Sequence, residues 1–388
     1  MAASASKAGG WWMPMRPPCS GGCRIGRRRW RPRHPAADAI ITVRCPGTPG
    51  CGNQLRMSPT RRVTLSAAAA ALLLPAATAA LLTPSGARAA TQSFDAFLEG
   101  VRAEARRQGV SAATLSRALT GIRANDRVLE LDRRQPEFTQ TWEQYRDARL
   151  SQTRIDAGRR AFADNRATLE AVQGRFKVSP RVVVAIWGLE TNYGGFTGNF
   201  NVVESLATLA WDGRRSAYFR NELLAALKIL DAGHVSADRM RGSWAGAMGH
   251  PQFMPSNFER LAVDMDGDGR RDIWDNRADA LGSIGNYLAR SGWREEELCG
   301  REVVLPAGFN PEDARRTNTK PLQGMGADGG CGGRMDRRCR RSTEAAIITP
   351  GGAGGQAFAV YHNFNVIRRY NPSNFYALAV GLLSDRVA

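Results

Sequence analysis

Histidine is scarce in this chain, with four residues in 388. Three of them, His234, His250 and His362, are too scattered to argue a metal site. No P-loop, dinucleotide fingerprint or Ser-His-Asp pattern stands out, so nucleotide-dependent and serine-nucleophile chemistry have no support. Beyond about residue 90 no apolar run is long enough for a transmembrane span. Acids are fewer than bases, 36 against 54, for a net charge of +18. That excess suggests a nucleic-acid or membrane-surface partner until its location is read. Residues 1–88 hold thirteen Lys or Arg against one acid, Asp38, so twelve of the eighteen charges lie there. The remaining mild excess suits an anionic partner, and no nucleic-acid motif accompanies it, so no nucleic-acid partner is expected.

What is present begins with a targeting pattern. Arg61-Arg62 form a positive n-region, Val63 to Leu82 is an Ala/Leu-rich core interrupted by Pro75, and Ala87-Arg88-Ala89 is a small-residue cleavage site. Residues 57–89 are therefore expected to be a signal peptide cleaved near Ala89, taking the general secretory or the twin-arginine route. No Cys stands at the cleavage site, which argues against a lipoprotein. The product is expected to be soluble and periplasmic, with no transmembrane segment once the signal is removed. Residues 1–56, rich in Arg, Pro, Trp and Cys, are read as a non-native extension, with the true start at Met57. The spacing of Cys19, Cys23, Cys45 and Cys51 matches paired zinc ligands poorly. Cys299, Cys331 and Cys339 permit one disulfide without specifying it.

The mature chain reads as α+β and predominantly helical. Phe94, Phe97, Leu98 and Val101 repeat at three and four, a helical spacing, and helical patterning runs through 92–172 and again through 179–290. From about 298 short β-like runs appear: Val303-Val304-Leu305, Ala346-Ile347-Ile348 and Ala357-Phe358-Ala359-Val360. A small β-rich insertion over 298–360 fits them. Its stretch 322–342, dominated by Gly, Arg and Cys, reads either as an irregular loop or as a local reading-frame error. An amphipathic helix from Asn374 to Leu383 closes the chain.

One carboxylate stands out. Ser179-Pro180 is a helix start, since Ser can cap and Pro suits the first position. Val183, Ile186, Trp187 and Glu190 then share one face at i, i+3, i+4 and i+7, and the first three are apolar. Asn192, Tyr193, Gly194 and Gly195 end the helix. Glu190 is thus expected on the inward stripe, in the last turn. Desolvation against Trp187 and Ile186 and the negative end of the helix dipole both favour its protonated form, as a general acid requires. The bland alternative is a Glu at a helix end pointing to solvent.

The stretch Asp264-Met265-Asp266-Gly267-Asp268-Gly269-Arg270 fits the start of an EF-hand-type loop. Carboxylates at positions 1, 3 and 5 converge on one cation, Gly269 supplies the turn, and Arg270 offers its backbone carbonyl. Asp275 stands where the usual Glu at position 12 would be, so binding is expected to be weak and structural. The alternative is a polar turn without metal.

The segment Ala185-Ile186-Trp187-Gly188-Leu189-Glu190-Thr191-Asn192-Tyr193-Gly194 resembles the catalytic motif of the membrane-bound lytic murein transglycosylase B family. Gly242 to Gly249 followed by Pro251-Gln252-Phe253-Met254-Pro255-Ser256 resembles its second signature. The Asp-rich loop, Asn286-Tyr287-Leu288 and Tyr370 to Ala377 continue the family order over about 92–388. His250-Pro251 and Pro372 depart from the pattern. The resemblance implies a lysozyme-like catalytic core over 90–297, flanking helices, and a segment 361–388 completing the catalytic domain. It implies cleavage of the β-1,4 bond between N-acetylmuramic acid and N-acetylglucosamine in peptidoglycan, leaving 1,6-anhydromuramic acid ends, with Glu190 as sole acid/base and no catalytic cofactor. The alternatives are a hydrolytic muramidase on the same core and a non-catalytic peptidoglycan-binding protein. Tyr145, Ser243, Gln252, Tyr287, Tyr370, Asn371 and Tyr376 match groove-lining positions, and Arg214 and Arg215 a nearby basic pair. Tyr145 and Tyr287 also read as core aromatics, and the arginines as a solvated turn. The family's final ligand in the Asp-rich loop matches Asp279, giving Asp264, Asp266, Asp268, Arg270 and Asp279 as ligands for a structural calcium or sodium ion. Glycan strands are the implied partner; partners among the cell-wall synthases stay open. Ordinary glycosidases need two carboxylates, and none near these motifs suggests itself as a nucleophile, although distant acids such as Asp212 or Glu204 remain open.

Overall fold

A computed structural model of the chain describes residues 92–134, 140–321 and 344–388, all within one compact unit. The signal peptide, the 1–56 extension, Cys331, Cys339 and the stretch 322–342 lie outside the described residues. Cys299 is a free thiol. No described helix is long and apolar enough to cross a membrane.

Six helices open the described chain: α1 (Phe94–Arg107), α2 (Ala112–Leu119), α3 (Asp126–Arg133), α4 (Trp142–Arg149), α5 (Gln152–Asp164) and α6 (Arg166–Phe176). The first five share one cause for where they begin. Ser93, Ser111, Asn125, Thr141 and Ser151 each accept the backbone N–H three residues on, and at Thr141 the Gln144 side chain returns the bond as a capping box. Each such cap contributes about 1 kcal/mol by satisfying an amide the helix cannot. The apolar repeat of α1 buries Phe97, Leu98 and Val101, while Phe94 packs at the edge on Trp211.

Then follow α7 (Pro180–Thr191), a two-residue strand β1 (Phe200–Asn201), α8 (Val202–Asp212), α9 (Ser216–Asp231), and β2 (Arg241–Gly242), antiparallel to β1. After them come α10 (Pro255–Leu261) and α11 (Arg277–Arg290). Helix α7 is the axis of the fold. Every residue from Val182 to Leu189 is buried, and α5, α6 and α11 pack around it. A helix apolar on all sides belongs in the centre of a core.

The β insertion is a four-stranded antiparallel sheet in the order β3 (Gly300–Val303), β6 (Ala357–Val360), β5 (Glu344–Ile348), β4 (Lys320–Pro321). The first expected β run is offset: β3 ends at Val303, and Val304 is 77% exposed. Alternation divides the two faces of the sheet, as the period of two requires. Ala357 and Ala359 join Val303, Ala345, Ile347 and Tyr361 in a small separate core, while Phe358 and Val360 turn toward the main one. Phe358 meets Trp142 edge-on at 5.8 Å, and this docks the sheet on α4. Two helices close the chain, α12 (His362–Tyr370) and α13 (Asn374–Ser384). Helix α13 lies against both α7 and α4, which carries the end of the chain back to the end of α7.

Candidate active site

Glu190 sits in the last turn of α7, where the helix stops being fully buried, and is itself half-buried. The start of that helix is as expected at Pro180, but Ser179 makes no side-chain capping bond. At the other end three residues in succession are left-handed: Asn192 (φ 51°), Tyr193 (φ 59°) and Gly194 (φ 84°). Two non-glycine residues in this region are costly, and local bonds hold them. The Asn192 and Tyr193 amides return to the Gly188 and Trp187 carbonyls, and the Gly194 amide donates to Thr191 Oγ1 at 3.1 Å. The Tyr193 ring lies against the helix at Gly188, where an added Cβ would stand 2.5 Å from it, and its hydroxyl donates to the Arg154 carbonyl at 3.0 Å.

The Glu190 carboxyl meets the far end of the chain. Tyr376, in the first turn of α13, donates to Oε1 at 2.6 Å. Burial is the largest influence on the carboxyl and pushes its pKa up to about 7, against the lowering effects of the Tyr376 bond and the Arg149 charge. Arg149 is the last residue of α4, its guanidinium 5.4 Å from the centre of the Tyr145 ring. Tyr145 packs on Phe375, and burial raises its phenol above the ordinary value. Tyr145, Arg149, Glu190 and Tyr376 thus form one cluster built from α4, α7 and α13.

Behind this cluster Tyr287 and Tyr370 pack at 4.6 Å between ring centres, with Phe253 against both. Their hydroxyls are committed to the backbone, Tyr370 to the Pro251 carbonyl and Tyr287 to the Arg369 carbonyl, each at 2.5 Å. Gln252, buried and left-handed (φ 51°), donates from Nε2 to the carbonyls of Thr197 and Gly249. Ser243 closes its own loop by accepting the Ala247 amide at 3.0 Å, and Asn371 accepts the Ser373 amide at 3.2 Å. Arg214 and Arg215 belong to another set of contacts: both pair with Asp132, which is 2% exposed, at the end of α3. The two distant acids left open in the sequence are engaged elsewhere as well. Glu204 accepts from Asn125 at 2.6 Å, and Asp212 pairs with Arg133 at 2.8 Å.

Sequence reasoning passed over Arg149, although it stands four residues after Tyr145 and so on the same helix face. It also passed over Glu222, a buried carboxylate whose oxygens accept the Ser256 amide and hydroxyl and so seat the start of α10.

In the Asp-rich loop one ligand atom from each of Asp264, Asp266 and Asp268 lies within 4.8 Å of the others. Gly267 and Gly269 are left-handed, and their amides donate to the two oxygens of Asp264, which holds that carboxyl below the usual range. Asp279 is fully buried at the start of α11. One of its oxygens accepts the Met265 amide and the other the Asp272 amide, each at 2.7 Å, so it ties both ends of the loop together.

A half-buried acid at the end of the central helix, raised to about 7 and bonded to a tyrosine, marks an enzyme that works by general acid/base catalysis. Comparison with known proteins narrows this. Residues 93–385 match the family model described as the transglycosylase SLT domain, and the chain belongs to that family. Over 257 residues it is 30% identical to membrane-bound lytic murein transglycosylase B of Escherichia coli (strain K12), spanning 64% of this chain and 67% of that one. Among solved structures it is similar to SltB3 of Pseudomonas aeruginosa in complex with NAG-anhNAM-pentapeptide, with 46% identity and a TM-score of 0.74 over 76% of this chain and 80% of that chain. It is also similar to the Escherichia coli lytic transglycosylase Slt35 in complex with calcium, with 28% identity and a TM-score of 0.64 over 77% and 93% of the two chains. The protein is a lytic transglycosylase acting on peptidoglycan.

Proposed function

We propose that Glu190 is the sole acid/base of this transglycosylase, and that the bond cut is the β-1,4 link between N-acetylmuramic acid and N-acetylglucosamine. The observation that carries the reading is the carboxyl itself: half-buried, raised to about 7, and held at one oxygen by Tyr376. A group with its pKa near the working pH can give a proton and take one back in the same cycle. In the first step the Glu190 proton passes to the glycosidic oxygen as the bond from C1 to that oxygen breaks, and the substrate's own N-acetyl group stabilises the cation. In the second the C6 hydroxyl attacks C1 and its proton passes to the Glu190 carboxylate. The acid is restored, a 1,6-anhydro ring forms, and no water is consumed. This scheme needs no second carboxylate, in keeping with the engagement of Asp212 and Glu204 elsewhere.

Tyr145 and Tyr376 flank the acid and are assigned to the bound muramic acid. Ser243, Gln252, Tyr287, Tyr370 and Asn371 shape the groove through the loops they brace, and Arg214 and Arg215 serve the anionic strand at a distance. Asp264, Asp266, Asp268 and the Arg270 carbonyl hold a structural calcium or sodium ion, whereas Asp279, expected as the final ligand, gives its two oxygens to the Met265 and Asp272 amides and braces the loop. Three carboxylates this close repel one another without a cation. Export to the periplasm through the 57–89 leader places the enzyme with its substrate.

The test is the mass of the muropeptides released from purified peptidoglycan by the protein and by Glu190→Gln. Products one water lighter than hydrolysis products, and absent with the variant, support the reading. Reducing-end products would make it a muramidase.

A further inference from the structure

The ring of His250 lies beneath the end of α7. Its Nδ1 receives the Trp187 indole N–H at 2.9 Å, and the two rings meet edge-on at 5.7 Å. The Thr191 hydroxyl lies 3.3 Å from both the Trp187 and the His250 carbonyls, between which its one hydrogen is shared, and it accepts the Gly194 amide. A Cβ on Gly194 would run into the imidazole. The ring is therefore packed against the left-handed turn that follows Glu190 and bonded to the residue one turn before it. An indole nitrogen only donates, so Nδ1 must be unprotonated and the neutral ring carries its proton on Nε2. His250 is 8% exposed.

We infer that the His250 ring is a positioning element for Glu190, holding the last turn of α7 through its bond from Trp187 and its packing against Gly194. The inference rests on Glu190 being the acid. It has a consequence for pH. A proton on Nδ1 would set two donors face to face, Nδ1–H against the Trp187 N–H, and the strut would open. The charged groups acting on the ring are Arg277 on α11 and Asp272 and Asp275 before it. Burial and Arg277 outweigh the two acids and keep the ring neutral below its usual range. An acid that starts the cycle protonated gives only an alkaline limb to the rate. Protonation of His250 is therefore expected to add an acid limb to kcat.

The experiment measures kcat and KM against pH for the protein, His250→Phe, His250→Asn and Glu190→Gln, with circular dichroism to verify folding. Phenylalanine keeps the ring and loses the acceptor, and kcat is expected to fall by about tenfold to a hundredfold with KM little changed, as for a displaced catalytic group. Asparagine offers an oxygen where Nδ1 stood and cannot titrate. It is expected to restore most of the lost kcat and to remove the acid limb. A folded His250→Phe with the parent's kcat and pH profile, or an acid limb unchanged in His250→Asn, overturns the inference while an inactive Glu190→Gln leaves the site reading standing. An active Glu190→Gln overturns the site reading itself.

Discussion

Tyr376 donates its phenolic hydrogen to Glu190 Oε1 over 2.6 Å, joining two residues 186 positions apart. The bond steadies the carboxylate form and leaves the other oxygen to carry the proton. It also draws the carboxyl down from where burial alone would place it. Tyr376→Phe is therefore expected to move the alkaline limb of kcat upward from about 7 and to lower kcat about tenfold, since a hydrogen bond to a charged group is worth roughly 1.5–3 kcal/mol. A pH-rate profile checks both, and an alkaline limb unmoved or shifted downward would contradict the assignment.

The raised carboxyl is also a statement about stability. A group held protonated by the fold stabilises it below its unfolded pKa, and this contribution disappears as pH rises through the folded value near 7. Glu190→Gln mimics the protonated form. It is expected to be more stable than the parent at pH 8–9, by at most about 3 kcal/mol at 1.36 kcal/mol per unit, and little different near pH 5. Thermal melts at the two pH values measure the difference.

Asp132 is a structural prediction. It is 2% exposed and pairs with Arg214 and Arg215, and the Arg215 guanidinium also lies 4.8 Å from the Phe219 ring centre. Asp132→Ala leaves a partly buried cation unpaired and is expected to cost about 2–4 kcal/mol in denaturant unfolding.

For the Asp-rich loop, added calcium is expected to raise the melting temperature with the logarithm of its concentration above Kd, by the equivalent of about 2.7 kcal/mol at a hundredfold excess. Asp264→Asn is expected to abolish the response, because its oxygens also accept the Gly267 and Gly269 amides that shape the loop.

The helical elements were legible because their signals are local. The apolar stripe of Val183, Ile186 and Trp187 marked α7 and placed Glu190 in its last turn, and the short β-like run Ala357 to Val360 gave β6 its residues. The site's partners were legible only through the family resemblance. Tyr376 reaches Glu190 from α13, and no periodicity records a contact between helices so distant in sequence. The same holds for Arg214 and Arg215, whose spacing suggests a solvated turn until Asp132 arrives from α3. His250 read as an isolated histidine and a departure from the family pattern. Its meaning depends on Trp187, 63 residues earlier, being folded against it.

The measurement closest to the centre of the account is the titration of Glu190 itself, by carbon NMR of glutamate-labelled protein assigned with Glu190→Gln. A carboxyl with its midpoint near 7, absent from the variant, is the predicted result. A midpoint near 4.5, the ordinary value, would mean that the fold does not hold the proton there and that the catalytic acid must be sought elsewhere.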